Sequence, residues 1–251
     1  MLNLTQLLTF EIGRECNYSG IHDLCPVNVM TRKDQAITDE MIIDTACKAY
    51  LELGFEGLIS WNFYNEAMLH QQRILGLMVT IREKVPQSRF FMWTNGSIVT
   101  SDDRMKLFER IHITNYEKRT FEELAARGYY NIHTRMEGQE LDHRMTNHYG
   151  EENNTPCFQL LDSFTFGNDG EVYACCLDWM NEIKIGNLFD SSLEELELKR
   201  WEYCKQVCGK QMTDKAHMRC RACAWKVSYP PPLYDLRIAE KAVQEIAKLP
   251  F

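Results

Sequence analysis

No stretch of this 251-residue chain approaches the roughly 18–20 consecutive apolar residues that a membrane-spanning helix needs, which argues against a membrane protein. Basic residues are in the minority, with 28 Lys and Arg against 36 Asp and Glu. The resulting net charge of -8 argues against non-specific binding to nucleic acid, which requires a basic surface. The opening residues Met1-Leu2-Asn3-Leu4-Thr5-Gln6-Leu7-Leu8 lack both a basic segment and a small-residue cleavage site. No secretory signal is read there, and a cytoplasmic, reducing compartment is the expected setting. A small molecule or a short peptide is left as the expected substrate class. What the chain does have is cysteine, ten residues in all. In a reducing compartment, thiolates gathered in one chain hold iron–sulfur clusters or zinc rather than disulfides.

The length suits one large domain, or one domain with an appendage, and 45% hydrophobic residues can fill a sizeable core. Over the first 150 residues, strand-like and helix-like segments alternate. Leu8-Thr9-Phe10-Glu11-Ile12 alternates at period two and predicts a strand. Thr38 to Leu53 predicts a helix, with Met41, Ile42, Thr45, Ala46, Ala49, Tyr50 and Leu53 on one face and Gly54 as its stop. Further strands are predicted at Gly57 to Asn62, Arg89 to Trp93, Ile111 to Ile113 and Tyr130 to Thr134. Between them lie predicted helices from Glu66 to Lys84, from a cap at Ser101 to Arg110, and from the Thr120/Glu123 capping box to Gly128. Strands joined by such helices imply parallel pairing with right-handed crossovers. Five units are too few to close an eight-fold ring. The expected fold is therefore α/β, a partial TIM-like barrel of parallel strands with a small cysteine-rich α+β extension. Residues 1–150 would form the barrel and 151–229 the extension, with a hairpin through Phe164-Thr165-Phe166, Asn168-Asp169-Gly170 and Glu171 to Ala174. Residues 230–251 would form a proline spacer and a terminal amphipathic helix.

Parallel barrels carry their active sites where the strands end at their C-termini. Five polar segments follow the five predicted strands: the loop from Cys16 to Cys25, then Tyr64-Asn65-Glu66, Thr94-Asn95-Gly96, Thr114-Asn115-Tyr116, and Arg135. This series resembles the radical S-adenosylmethionine (SAM) superfamily over most of the chain. In that family a cysteine loop after the first strand holds three irons of a 4Fe–4S cluster, and SAM chelates the fourth. The resemblance places Glu66 where the family has the acid that receives the SAM ammonium, a charge-assisted hydrogen bond. Asn65, Asn95, Asn115 and Arg135 are further cofactor-binding candidates. The loop departs from the usual C-x3-C-x2-C, because it has only two cysteines, spaced C-x8-C, and Gly20 stands where the second would be. Anchored on Cys25-Pro26, the motif becomes C-x5-H-x2-C, with His22 beside Cys16 and Cys25 as the third ligand. Imidazole replaces thiolate in some iron–sulfur centres. The bland alternative is an ordinary loop histidine beside a cluster that does not form.

The second cysteine group resembles the SPASM and twitch extensions, which hold auxiliary 4Fe–4S clusters. Cys157-x12-Gly170-x4-Cys175, followed by Cys220-x2-Cys223, supplies four ligands for one such cluster. Cys204-x3-Cys208-x11-Cys220-x2-Cys223 is instead compatible with a zinc site, but that choice leaves Cys157 and Cys175 idle. Cys47, His70 and His112 are expected to be structural. The resemblance thus implies two 4Fe–4S clusters and SAM, an electron donor such as flavodoxin or ferredoxin, and hydrogen abstraction from the substrate by a 5′-deoxyadenosyl radical. The competing expectation is a non-catalytic relative in which an iron–sulfur or zinc site is only a staple for a binding protein.

Overall fold

The computed structural model describes residues 2–19, 25–135, 150–208, 211–223, 226 and 236–248. Its centre is a seven-stranded sheet in the order β5-β4-β3-β2-β1-β6-β7. The strands are β1 (Leu7–Phe10), β2 (Leu58–Ser60), β3 (Phe90–Thr94), β4 (Phe108–Thr114), β5 (Ile132–Arg135), β6 (Ser163–Phe166) and β7 (Val172–Tyr173). All pairings are parallel except that of β6 with β7. The parallel α/β expectation holds. The sheet has six parallel strands rather than five, because the strand expected to open the extension's hairpin pairs with β1 in the register Leu7↔Ser163 to Phe10↔Phe166. The sheet therefore runs across the expected division at residue 150. The hairpin itself forms, as β6 and β7.

Local chemistry fixes the helices. Thr38 caps α1 (Asp39–Leu51) by accepting from Met41 N, with Asp39 and Glu40 in the favourable first turn. Glu66 caps a short 3-10 turn, Ala67–His70, that leads into α2 (Gln71–Lys84). Thr120 and Glu123 complete their capping box at α3 (Phe121–Ala126). One expected helix differs: Asp102, not Ser101, is the cap, and only a 3-10 turn, Asp103–Leu107, follows. Phe108 to Arg110 join β4 instead, because burying Phe108 against the core outweighs the helical preference of so short a segment. The extension adds α4 (Gln159–Asp162), α5 (Leu193–Val207) and α6 (Met218–Ala222), and the chain's last described helix is α7 (Leu236–Ala247).

The period-two alternation sorts the strands' side chains onto two faces. Leu8, Phe10, Ile59, Trp61, Phe90, Met92, Ile111, Ile113, Phe164 and Phe166 join the main core with α1, α2 and α3. Each such side chain, fully buried, contributes roughly 1.5–3 kcal/mol. The opposite face holds only a small apolar cluster of Leu7, Leu58 and Phe91, with Trp93 packed against it. Above that plug the face turns polar, which frees it for a site. Gly57 protects the β1–β2 register: a Cβ there would meet the Gln6 carbonyl oxygen at 2.2 Å, the same oxygen that accepts from Leu58 N.

Candidate functional site

The loop after β1 is anchored to the ends of three neighbouring strands. Glu15 O accepts from Glu66 N at 2.8 Å. Asn17, next to Cys16, accepts from Asn95 Nδ2 at 2.8 Å and donates to Ser97 Oγ at 2.7 Å. Tyr18 packs on Tyr116 and hydrogen-bonds Glu117 in the loop after β4. Cys25 is buried and caps the short turn Pro26–Asn28, while Cys16 is half-buried. His22 and Gly20 lie outside the described residues.

Glu66 is buried and accepts three hydrogen bonds: from Met68 N (3.0 Å), Thr94 Oγ1 (2.6 Å) and Asn95 N (2.8 Å). Burial pushes its carboxyl above the usual range, and these donors pull it back. Of about four lone-pair positions on a carboxylate, three are spent within the chain. Glu66 thus welds the end of β2 to the Thr94-Asn95-Gly96 turn, and about one acceptor position remains. Asn65 complements it. Its Oδ1 accepts from Phe63 N at 3.2 Å, but its buried Nδ2 has no partner among the described residues. A buried unpaired donor is costly, so a ligand acceptor is the natural complement there. Asn115 is different. Its side chain accepts from Arg119 N (2.9 Å) and donates to Arg119 O (2.7 Å), so both ends of the amide are used in closing its own loop. Arg135 is placed at the same end of the sheet by its backbone register with Thr114.

Glu11, which sequence reasoning treated only as part of a strand, is the hub of this end. It is 1% exposed and accepts from Arg32 Nη2 (2.5 Å), Tyr64 N (3.2 Å) and Asn168 N (3.2 Å). These donors come from the segment after the first cysteine loop, the segment after β2, and the β6–β7 turn. Tyr64 extends the link, since its hydroxyl donates to Cys176 O at 2.5 Å. Phe63 packs between Tyr64 and Tyr173.

In the second cysteine group, Cys175 follows the β6–β7 hairpin, and Cys220 and Cys223 follow α5. Gly170, at φ +76°, makes the turn between β6 and β7, and a Cβ there would meet Asn187 Oδ1 at 2.8 Å and the Phe189 ring at 2.9 Å. Burial pushes the Cys175 thiol well up, with Cys176 and Cys220 adding to it. Cys220 is likewise pushed up to about 12, chiefly by burial, with the Tyr203 hydroxyl opposing and Cys157, Asp178 and Cys223 adding to the rise. These thiols influence one another through space: Cys175 feels Cys220, Cys220 feels Cys157 and Cys223, and Cys208 feels Cys157. Crowded thiols that resist ionisation alone are suited to a cationic centre that would stabilise their thiolates. Cys204 and Cys208 are wholly buried in the main core, and Cys208 Sγ donates to Cys157 O at 3.0 Å. Among the described residues no three His, Cys, Asp or Glu side chains converge around a single ion. A four-iron cluster is a larger body, and each of its thiolates meets a different iron.

The sheet's polar face completes the site. Thr9, Ser163 and Thr165 form a hydroxyl chain with links of 2.8 and 2.7 Å. Asn62 Oδ1 accepts from Trp93 N at 2.8 Å. Trp93 meets His112 edge-on at 4.5 Å between ring centroids, and His133 lies 5.3 Å further along. Burial lowers His112 to about 4, so it is a neutral imidazole at neutral pH. The sequence could have flagged these residues by alternation, but alternation does not tell which face is open.

Known proteins resemble the chain over part or most of its length. Residues 157–224 match the SPASM family model, described as an iron–sulfur cluster-binding domain. The chain is 23% identical over 234 residues to an S-adenosyl-L-methionine-dependent 2-deoxy-scyllo-inosamine dehydrogenase from Niallia circulans, covering 86% of this chain and 90% of that protein. Its fold is similar to the crystal structure of BtrN in complex with AdoMet and 2-DOIA, with a TM-score of 0.61 at 17% identity, over 90% of this chain and 98% of the other. A second BtrN structure, in an open conformation, aligns with a TM-score of 0.60 at 15% identity, over 87% of this chain and 92% of the other. No helix of the described residues is long and apolar enough to cross a membrane.

Proposed function

We propose that the chain is a radical SAM enzyme with a SPASM domain, and that it dehydrogenates a hydroxyl-bearing carbon of a small polar molecule. A 4Fe–4S cluster with SAM, when bound, would supply a one-electron route to hydrogen abstraction from an unactivated C–H bond. Cys16, Cys25 and His22 would hold that cluster. Asn65 would present its spare amide donor to the SAM carboxylate, and Glu66 its remaining acceptor position to the SAM ammonium. Asn95 and Asn115 would keep the surrounding turns in shape, and Arg135, in β5, is a further cofactor-binding candidate.

Converting an alcohol to a ketone removes a hydrogen atom from carbon, a proton from the hydroxyl and one further electron. A second electron-accepting centre near the substrate meets that last need, and Cys157, Cys175, Cys220 and Cys223 would hold it. The hydroxyl chain Thr9–Ser163–Thr165, Asn62 and the neutral His112 give the polar face donors and acceptors fit for a hydroxylated substrate. A short peptide is the second substrate class, but no feature among the described residues favours it. The observation that carries the proposal is the buried Asn65 amide beside Glu66, whose Nδ2 meets no acceptor among the described residues.

Anaerobic reconstitution followed by incubation with SAM and dithionite tests it. About eight irons per chain and release of 5′-deoxyadenosine are expected. His22→Ala should retain about four irons and lose SAM binding. Wild-type protein that neither binds SAM nor releases 5′-deoxyadenosine would overturn the proposal.

A further inference from the structure

The Tyr203 hydroxyl does more than fill space beside the second cysteine group. Tyr203 stands on α5, a 15-residue helix fixed at its start by a Ser192/Glu195 capping box. Its oxygen accepts from His217 N at 3.2 Å. A phenol has one hydrogen, and here it is donated to Cys220 Sγ at 3.2 Å. His217 is the cap of α6, the turn that carries Cys220, and its carbonyl accepts from Cys220 N at 2.9 Å. The residue that orients the phenol therefore also seats the cysteine. The hydrogen bond is set from both sides and does not depend on a free rotor.

We propose that Tyr203 is a positioning residue that raises the reduction potential of the auxiliary cluster by donating to the Cys220 thiolate. This rests on Cys220 being a cluster ligand. Adding an electron increases the negative charge on the cluster's sulfurs. A donor aimed at one of them then stabilises the reduced form more than the oxidised form. That direction suits a centre that takes an electron from substrate.

The test uses the full chain with Cys16→Ala and Cys25→Ala, so that only the auxiliary cluster contributes to the signal. Its midpoint potential is measured by redox titration followed by electron paramagnetic resonance. Tyr203→Phe should shift the midpoint to more negative potential, by on the order of a tenfold change in the reduced-to-oxidised ratio, ~59 mV for one electron. Placing 3,5-difluorotyrosine at position 203 makes the phenol a stronger donor and should shift the midpoint the opposite way. Should Tyr203→Phe fail to hold iron, the fluorinated variant decides alone. An unchanged midpoint in a variant with about four irons overturns the proposal, as do shifts of the same sign for both replacements. A parent protein that holds no iron at all overturns the cluster reading itself, and this inference with it.

Discussion

Replacing Glu11 with alanine removes an acceptor from three donors at once. The carboxylate is 1% exposed, and its partner Arg32 is 7% exposed at the side chain. Breaking a buried ion pair by deleting one member costs about 3–5 kcal/mol, because the other charge stays buried. The amides of Tyr64 and Asn168 would also lose their acceptor, at about 1–3 kcal/mol each. These terms share one cavity and are not additive, and Arg32 keeps its bond to the Tyr173 hydroxyl. The expected total is about 3–5 kcal/mol for Glu11→Ala. Glu11→Gln, which retains one carbonyl acceptor, should cost about half as much. Urea unfolding of the anaerobically reconstituted protein, followed by tryptophan fluorescence, measures both. The midpoint should fall while the slope m stays constant, and SAM binding should weaken because Tyr64 is no longer held. A loss below about 1 kcal/mol for Glu11→Ala would refute the reasoning, since three donors cannot have been satisfied by a group that is removed so cheaply.

Two further outcomes follow from the same structure. Burial carries the Asp162 carboxyl from 3.8 up to about 7, so the folded state binds a proton that the unfolded state has released between those values. Its contribution to stability is full below pH 4 and is lost as pH rises to about 7, by up to about 4 kcal/mol. Unfolding free energy measured against pH should show that fall relative to Asp162→Asn, and parallel profiles would sink the assignment. Gly170→Ala should destabilise the β6–β7 turn by at least about 1 kcal/mol, because alanine resists a positive φ and its Cβ has no room. Iron content after reconstitution should drop with it, whereas full iron and unchanged stability would show that the turn tolerates a side chain.

How much was legible in the sequence varies with the range of the interaction. The Thr120/Glu123 capping box, the α1 face and the turn at Gly170 are local signals, and all appear where their chemistry put them. Phe108 was misplaced because a short polar segment with a cap reads as helix until the core claims its aromatic residue. The pairing of β6 with β1 could not be read, since nothing in either segment names a partner some 150 residues away. Glu11 escaped for the same reason. An isolated glutamate in a strand is ordinary, and only the fold brings Arg32, Tyr64 and Asn168 around it. Glu66 was singled out by the resemblance, but its bonds to Thr94 and Asn95 belong to the neighbouring strand and are invisible in the motif itself.

The pairing of β1 on both sides has a consequence for how the chain assembles. Leu7 meets Leu58 on one side and Ser163 on the other. A chain made from its N-terminus can complete the first side early, but the second edge of β1 stays bare until more than 100 further residues have been synthesised. Bare edges invite pairing with other chains. The strand that leads into the first cysteine loop is thus among the last to be finished. Iron delivered before the ribosome has released Phe166 would meet a loop whose supporting strand is still half-paired. Maturation of this protein is therefore expected to be ordered in time, with the chain closing first and metal entering afterwards.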